Sequence, residues 1–403
     1  MAAAAAAAGP AAWTGEGPSP AERAARWIRE HPGEEKKASV PGWEVWSRPS
    51  MPPDWECVPH PGARGDMMHD DGRFDGVCAR GSEGGPHWLW HDKYVPAGAP
   101  AASAAELAAV LAGKRVAVVG DSLVSQLFQA LECEAEREGV AEGMVDLGWA
   151  AEHMPTAIKV QRVSSSRGPA TFGYRGDRTL VAEGALEKLE KLVAESCDVC
   201  IVNIGVHYND MGEYREAMGR LVPVLERHAD PPRKAVLFLE SSAQHFAGTL
   251  GTGAYAQRYQ DAGEVCSCGP ITAAGGNALD PDERNAIVRG LLPRGARVEL
   301  VPFFNLSMPR WDTHHMGATG YPVCDCTHQC YSPPYYRLAF AALKAAACEA
   351  LAGPKVADSD VPPDLRDACG GSSLASFSYD FRAFMPEDAL EKDAKSRNGG
   401  GRA

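Results

Sequence analysis

From about residue 104 the chain repeats one pattern: a short β-branched run, a polar loop, and a segment whose apolar residues recur with helical spacing. The runs are Val116 to Val119, "DVCIVNIG" (Asp198 to Gly205), "KAVLFLESS" (Lys234 to Ser242) and "ARVELVPFF" (Ala296 to Phe304). Helical-looking segments, "EGALEKLEKLVAES", "EYREAMGRLVPVLERH" and "DERNAIVRGLL", precede the last three. Strands apolar on both faces must be covered on both sides, and parallel neighbours need a crossover connection. The pattern therefore predicts an α/β fold with a mainly parallel sheet. The stretch from Met144 to Arg175 reads as extra strands, and a last helix from about Tyr335 to Leu351 packs against the sheet.

The alternation occupies residues 104–352, and the flanks differ. Residues 1–40 are rich in Ala, Gly, Pro and Glu without a sustained period and are expected to be a disordered, low-complexity tail. Residues 41–103 gather aromatic residues ("GWEVW", "DWEC", "HWLWHDKY") with Cys57 and Cys78 amid Gly and Pro, the composition of a loop-rich aromatic cap on the main domain. Its rings either supply a core to a segment poor in aliphatics or form a platform for a sugar. Residues 353–403 are acidic and are expected to be loosely ordered.

The 403 residues, 45% of them apolar, suffice for one large core or two modest ones. A formal charge of −13 and the lack of a Lys/Arg run argue against nucleic acid as a partner. No stretch approaches the roughly 20 apolar residues of a membrane span. The opening alanine run has neither a basic start nor a leucine-rich centre and reads as tail, not as a signal peptide.

In open parallel sheets ligands bind beyond the carboxyl ends of the strands, so the residues after each run carry the chemistry. After the first strand comes Gly120-Asp121-Ser122, followed by Leu123, Leu127, Phe128 and Leu131 at helical spacing. Ser122 thus sits on a strand-to-helix turn, where it either caps the helix or presents a nucleophilic hydroxyl beside the helix amides. The second run leads into Asn203, Gly205, His207, Asn209 and Asp210, and the third into Glu240, Ser241, Gln244 and His245. The fourth leads into a segment with Arg310, Asp312, His314, His315, Asp325 and His328. A serine needs a base, and a histidine base works best when a carboxylate fixes its tautomer. Asp325 and His328, three apart, meet that need if the segment is a helix or turn. Asp312 with His314 or His315 is the rival pair. Donors for an oxyanion are expected from the amide of Ser122 or Leu123, from Gly205, and from a side chain among Asn203, His207 and Asn209. His207 is equally expected as a buried, hydrogen-bonded histidine.

The motifs together resemble the plant trichome birefringence-like polysaccharide O-acetyltransferases and their PC-esterase relatives in the GDSL/SGNH superfamily. The resemblance rests on Gly120-Asp121-Ser122 before "LVSQLFQALEC", on Arg310-x-Asp312-x-His314 and on "DCTH" at Asp325 to His328. It spans about Trp55 to Leu351. It implies a three-layer α/β/α SGNH-like sandwich, Golgi residence, and an acyl-serine mechanism with Ser122 as nucleophile, His328 as base and Asp325 as its orienter. Gln126, Arg310 and Asp312 join the substrate-binding candidates on the same ground. Ser125 stands where many members carry arginine, and "QCYSPP" replaces their Trp-Cys-Leu-Pro-Gly after the "DCTH".

The expected partners are a glycan acceptor and an acetyl donor as co-substrate, with no bound cofactor. A hydrolase that passes the acyl group to water shares every residue named so far, and a non-catalytic glycan-binding protein is the reading of another class. Zinc on Cys324, Cys326, Cys330 and His328 is disfavoured because the spacing lacks paired C-x2-C knuckles. Twelve cysteines, an even number, suit disulfides in an oxidising lumen, and the sequon Asn305-Leu306-Ser307 is compatible with secretory passage.

Overall fold

A computed structural model describes residues 36–40, 43–47, 94–95, 101–142, 159–176, 179–180, 184–246, 271, 282–308, 314–315, 325–329, 333–353 and 362–377. In chain order the elements are β1 (Lys36–Val40), β2 (Trp43–Ser47), β3 (Tyr94–Val95), α1 (Ala104–Val110), β4 (Arg115–Gly120), α2 (Ser122–Glu138), β5 (Ala141–Glu142), β6 (Lys159–Val163) and β7 (Ala170–Gly176). There follow α3 (Ala185–Lys191), which runs on as a π-helical turn over Leu192–Ser196, then β8 (Val199–Asn203), α4 (Met211–His228), β9 (Ala235–Leu239), α5 (Glu283–Leu291) and β10 (Val298–Val301). The last are α6 (Phe304–Ser307), β11 (His314–His315), β12 (Asp325–Gln329), α7 (Pro333–Ala352) and α8 (Pro363–Cys369), with a 3₁₀ turn at Leu374–Phe377.

The main sheet has seven strands in the order β10-β9-β8-β4-β7-β6-β5. Pairing is parallel from β10 through β7, and β6 and β5 add antiparallel strands at one edge. The predicted α/β fold with a mainly parallel sheet is therefore what the chain adopts. Strand alternation explains the two-sided apolar runs. On β4, Val116 and Val118 face a core shared with α1, α2 and α7, whereas Ala117 and Val119 face a second core shared with α3, α4 and α5. Helices thus cover both faces, and β8 and β9 divide their residues between the same two cores.

Helix α2 begins where β4 ends because Asp121, the N-cap, accepts a hydrogen bond from Leu123 N–H, and it stops at Gly139, which adopts the left-handed conformation. Buried Glu134 then locks α2 to α7 by accepting from Arg337 Nε at 2.8 Å. Beyond the boundary expected at residue 352, further residues pack on the core. Helix α8 is bound to α7 by the Cys348–Cys369 disulfide, Leu365, Ala368 and Leu374 pack against the core, and Phe377 is buried. Apolar residues spaced through an acidic segment provide this anchorage. Most of the aromatic cap, including Cys57 and Cys78, lies outside the described residues.

The sequon does not sit on an exposed loop. It lies in α6, where buried Ser307 accepts from Ala243 N–H at 2.8 Å and donates to the Phe304 carbonyl. A second disulfide, Cys197–Cys200, closes the entry to β8. None of the described helices is long and apolar enough to cross a membrane.

At Gly120 the end of β4 lies tight against β8, since a Cβ at this position would lie 1.8 Å from the Asn203 carbonyl oxygen. Backbone cannot yield as a flexible side chain does. Gly120→Ala is therefore expected to destabilise the fold by about 3 kcal/mol, read as a lower urea midpoint at unchanged denaturant dependence.

Candidate active site

Ser122 is the first residue of α2, and His328 belongs to β12, 206 positions later. The fold brings His328 Nε2 to 2.6 Å from Ser122 Oγ. His328 is buried, and Ser122 is partly exposed. With the imidazole neutral and its proton on Nδ1, Ser122 Oγ–H donates to Nε2, the geometry by which a base removes a hydroxyl proton. Ser122 therefore does more than begin a helix; the capping is done by Asp121.

The acidic residue of the turn is a structural pin. Asp121 is 1% exposed, and its carboxylate accepts from Leu123 N–H at 3.0 Å, Gly205 N–H at 3.1 Å and Val206 N–H at 3.1 Å. It fastens the turn after β4 to the loop after β8. Burial pushes its carboxyl above the ordinary carboxylate value, while nearby His207 and the three N–H donors pull the other way.

This arrangement engages three of the expected oxyanion donors, Leu123, Gly205 and Asn203, in bonds within the protein. The amides of Leu123 and Gly205 are already directed at Asp121. Asn203 is fully buried and donates from Nδ2 to the Leu239 carbonyl at 2.8 Å, which ties β8 to β9. His207 is exposed, not the buried histidine expected, and Asn209 is exposed on the same loop. Asp210 caps α4 through Gly212 and Glu213 N–H. Ser122, at the first helical position, has no carbonyl one turn back within α2 to receive its own N–H, which lies at the positive end of the helix.

Gln126, expected among the substrate contacts, is buried and turned toward β12. Its Nε2 donates to the Gln329 carbonyl at 2.8 Å, and its Oε1 accepts from Gln329 N–H at 3.1 Å. On the other side of His328, Gln244 Nε2 donates to Thr327 Oγ1 at 2.9 Å. Arg284 Nη1 donates in turn to Gln244 Oε1 at 3.2 Å, and its Nη2 donates to the Tyr208 carbonyl at 2.8 Å. Arg284 and Thr327 were not distinguished by sequence reasoning; no local pattern links residues so far apart in the chain.

Asp325 and His328 both lie on β12, an extended strand that pairs with β11. The register of that pair shifts between His314, which stands opposite Gln329, and His315, which stands opposite Asp325, so the segment is an irregular strand and not a plain helix or turn. The side chain of Asp325, Arg310 and Asp312 lie outside the described residues, as do the side chains of His314 and His315. Cys326 and Cys133 stand in disulfides, so Cys326 is not a zinc thiolate; Cys324 and Cys330 lie outside the described residues. Among the described residues no group of three or more His, Cys, Asp or Glu is placed to hold a metal ion.

His245, one of the polar residues after β9, faces inward. Its Nε2–H donates to the Met308 carbonyl at 2.8 Å, and its N–H to the Cys326 carbonyl at 2.9 Å. Burial pushes its pKa down from 6.5 to about 4. A histidine depressed in the folded state contributes stability that is present above its unfolded pKa and lost as pH falls through the folded one. The interval from 6.5 to about 4 corresponds to about 3 kcal/mol. His245→Gln, which removes the titration and keeps an N–H for Met308, is expected to flatten the loss of unfolding free energy between pH 6.5 and 4 by up to that amount, measured by urea titrations at each pH.

No protein-family model matches the chain, and no curated protein matches it.

Proposed function

We propose that this protein is a serine O-acyltransferase that carries an acetyl group on Ser122 and passes it to a glycan hydroxyl. The observation that carries the reading is the 2.6 Å contact of His328 Nε2 with Ser122 Oγ at the start of α2. In the first half-reaction Ser122 Oγ attacks the acetyl carbonyl as His328 takes the hydroxyl proton. The oxyanion forms beside the Ser122 N–H and the positive end of α2, and His328 returns the proton to the departing donor group. In the second half-reaction the acceptor hydroxyl, deprotonated by His328, attacks the acyl carbon, and His328 returns that proton to the departing Ser122 Oγ.

The glycan acceptor follows from the resemblance to polysaccharide O-acetyltransferases, which also assigns Asp325 as the orienter of His328 and substrate contacts to Arg310 and Asp312. The mostly parallel sheet covered by helices on both faces supports the SGNH-like reading. The disulfides support a secretory, Golgi-type lumen.

The test offers the purified protein an acetyl ester with and without a panel of oligosaccharides. Ser122→Ala and His328→Gln are each expected to lower acetyl transfer about a thousandfold, and the double variant no further, because the two act as a unit. Acetyl-serine is expected to decay faster with the correct oligosaccharide and to yield acetylated sugar. Near wild-type turnover in Ser122→Ala would overturn the mechanism. Decay to acetate that no glycan alters would leave an esterase.

A further inference from the structure

We propose that Gln126 is the positioning residue that sets the distance between His328 and Ser122. Strand β12 is not a member of the seven-stranded sheet; its ladder partner is β11, with an irregular register between His314 and His315. Its placement against α2 must therefore come from other bonds, and Gln126 supplies two of them on the residue next to His328. The carboxamide accepts from the N–H and donates to the carbonyl of Gln329, the exchange that a neighbouring strand would make.

The geometry of α2 makes this a short linkage. Gln126 lies four residues after Ser122, one helical turn away on the same face, with its Cα about 6 Å along the axis. Serine and clamp thus ride on one rigid element, and the base is held through a single intervening peptide unit. Gln126 is 4% exposed and its two bonds run to backbone, so they do not depend on which side chain stands at position 329. The opposite flank of His328 is held by Gln244 on Thr327 and by His245 N–H on the Cys326 carbonyl. Residues 326, 327 and 329 are thereby fixed from the protein body, and residue 328 is left to face the serine.

This inference rests on the acyl-transfer reading only where rates are measured. Gln126→Met keeps the length of the side chain and removes both bonds. Gln126→Glu keeps the acceptor for Gln329 N–H and loses the donor. Gln129→Leu, one turn on the same helix from Gln126, removes an amide whose partner among the described residues is Ser125 Oγ at 3.3 Å and serves as the control. Three quantities are read for each: the rate of Ser122 labelling by a fluorophosphonate, the imidazole nitrogen shifts and pKa of His328 by NMR, and the urea midpoint.

Gln126→Met is expected to slow labelling about 10- to 100-fold, the cost of a misplacement of roughly 1 Å, and to move the His328 shifts toward those of Ser122→Ala. Gln126→Glu should fall between Met and wild type, and Gln129→Leu should match wild type within about threefold on the same scale. Labelling and His328 shifts equal to wild type in folded Gln126→Met would overturn the proposal, as would an equal loss in Gln129→Leu. If the Met variant does not fold, the Glu variant is decided by the same two readouts. If wild-type Ser122 does not react, the function reading fails while the NMR comparison still decides the role of Gln126.

Discussion

A carboxylate buried at the carboxyl edge of a parallel sheet needs donors, and Asp121 obtains them from two separate loops. One side of its carboxyl group caps α2 and so places Ser122 at the helix start. The other side holds the amides of Gly205 and Val206, which fixes the loop after β8 against that start. Without those partners the group would be an unpaired buried charge, so the two loops and the carboxylate form one unit. The absence of a side chain at Gly120 allows the same approach from below, where the Asn203 carbonyl accepts from Asp121 N–H at 3.2 Å.

The consequence is an economy of amides. A turn at the head of a helix offers several N–H groups, and those of Leu123, Gly205 and Val206 are committed to holding the loops in place. The Ser122 amide is not among them; it lies at the positive end of α2, next to a hydroxyl bonded to a histidine. In the proposed reaction such fixed dipoles would meet the developing charge without having to reorient.

The histidine arrives by a different principle. Its strand contributes no rung to the main sheet and is held by side-chain amides, Gln126 on one side and Gln244 on the other. Arg284 extends the second contact to the Tyr208 carbonyl, so the loops after β8 and β9 and strand β12 share one polar network. Such a network is demanding, since each member left unpaired in a buried setting costs stability. Buried His245, held neutral and bonded to Met308, belongs to the same layer.

Sequence by itself determined the alternation of buried strands and covering helices, the strand-to-helix turn at Ser122, and the polar character of the loops at the carboxyl edge. These are local: period, capping and β-branching act between residues a few positions apart. Helix α2 starts where the pattern predicts because Asp121 and Leu123 are neighbours. The resemblance already pointed from Ser122 to His328, but tertiary structure alone decided that Gln126 bonds β12, that Gly205 and Leu123 serve Asp121, that the "DCTH" segment is extended, and that a separation of 206 positions closes to a 2.6 Å contact. Those outcomes depend on strand order and on which buried polar groups find each other once the loops close. A donor and an acceptor in the sequence carry no record of that pairing, because only the packed fold removes the water that would otherwise satisfy both.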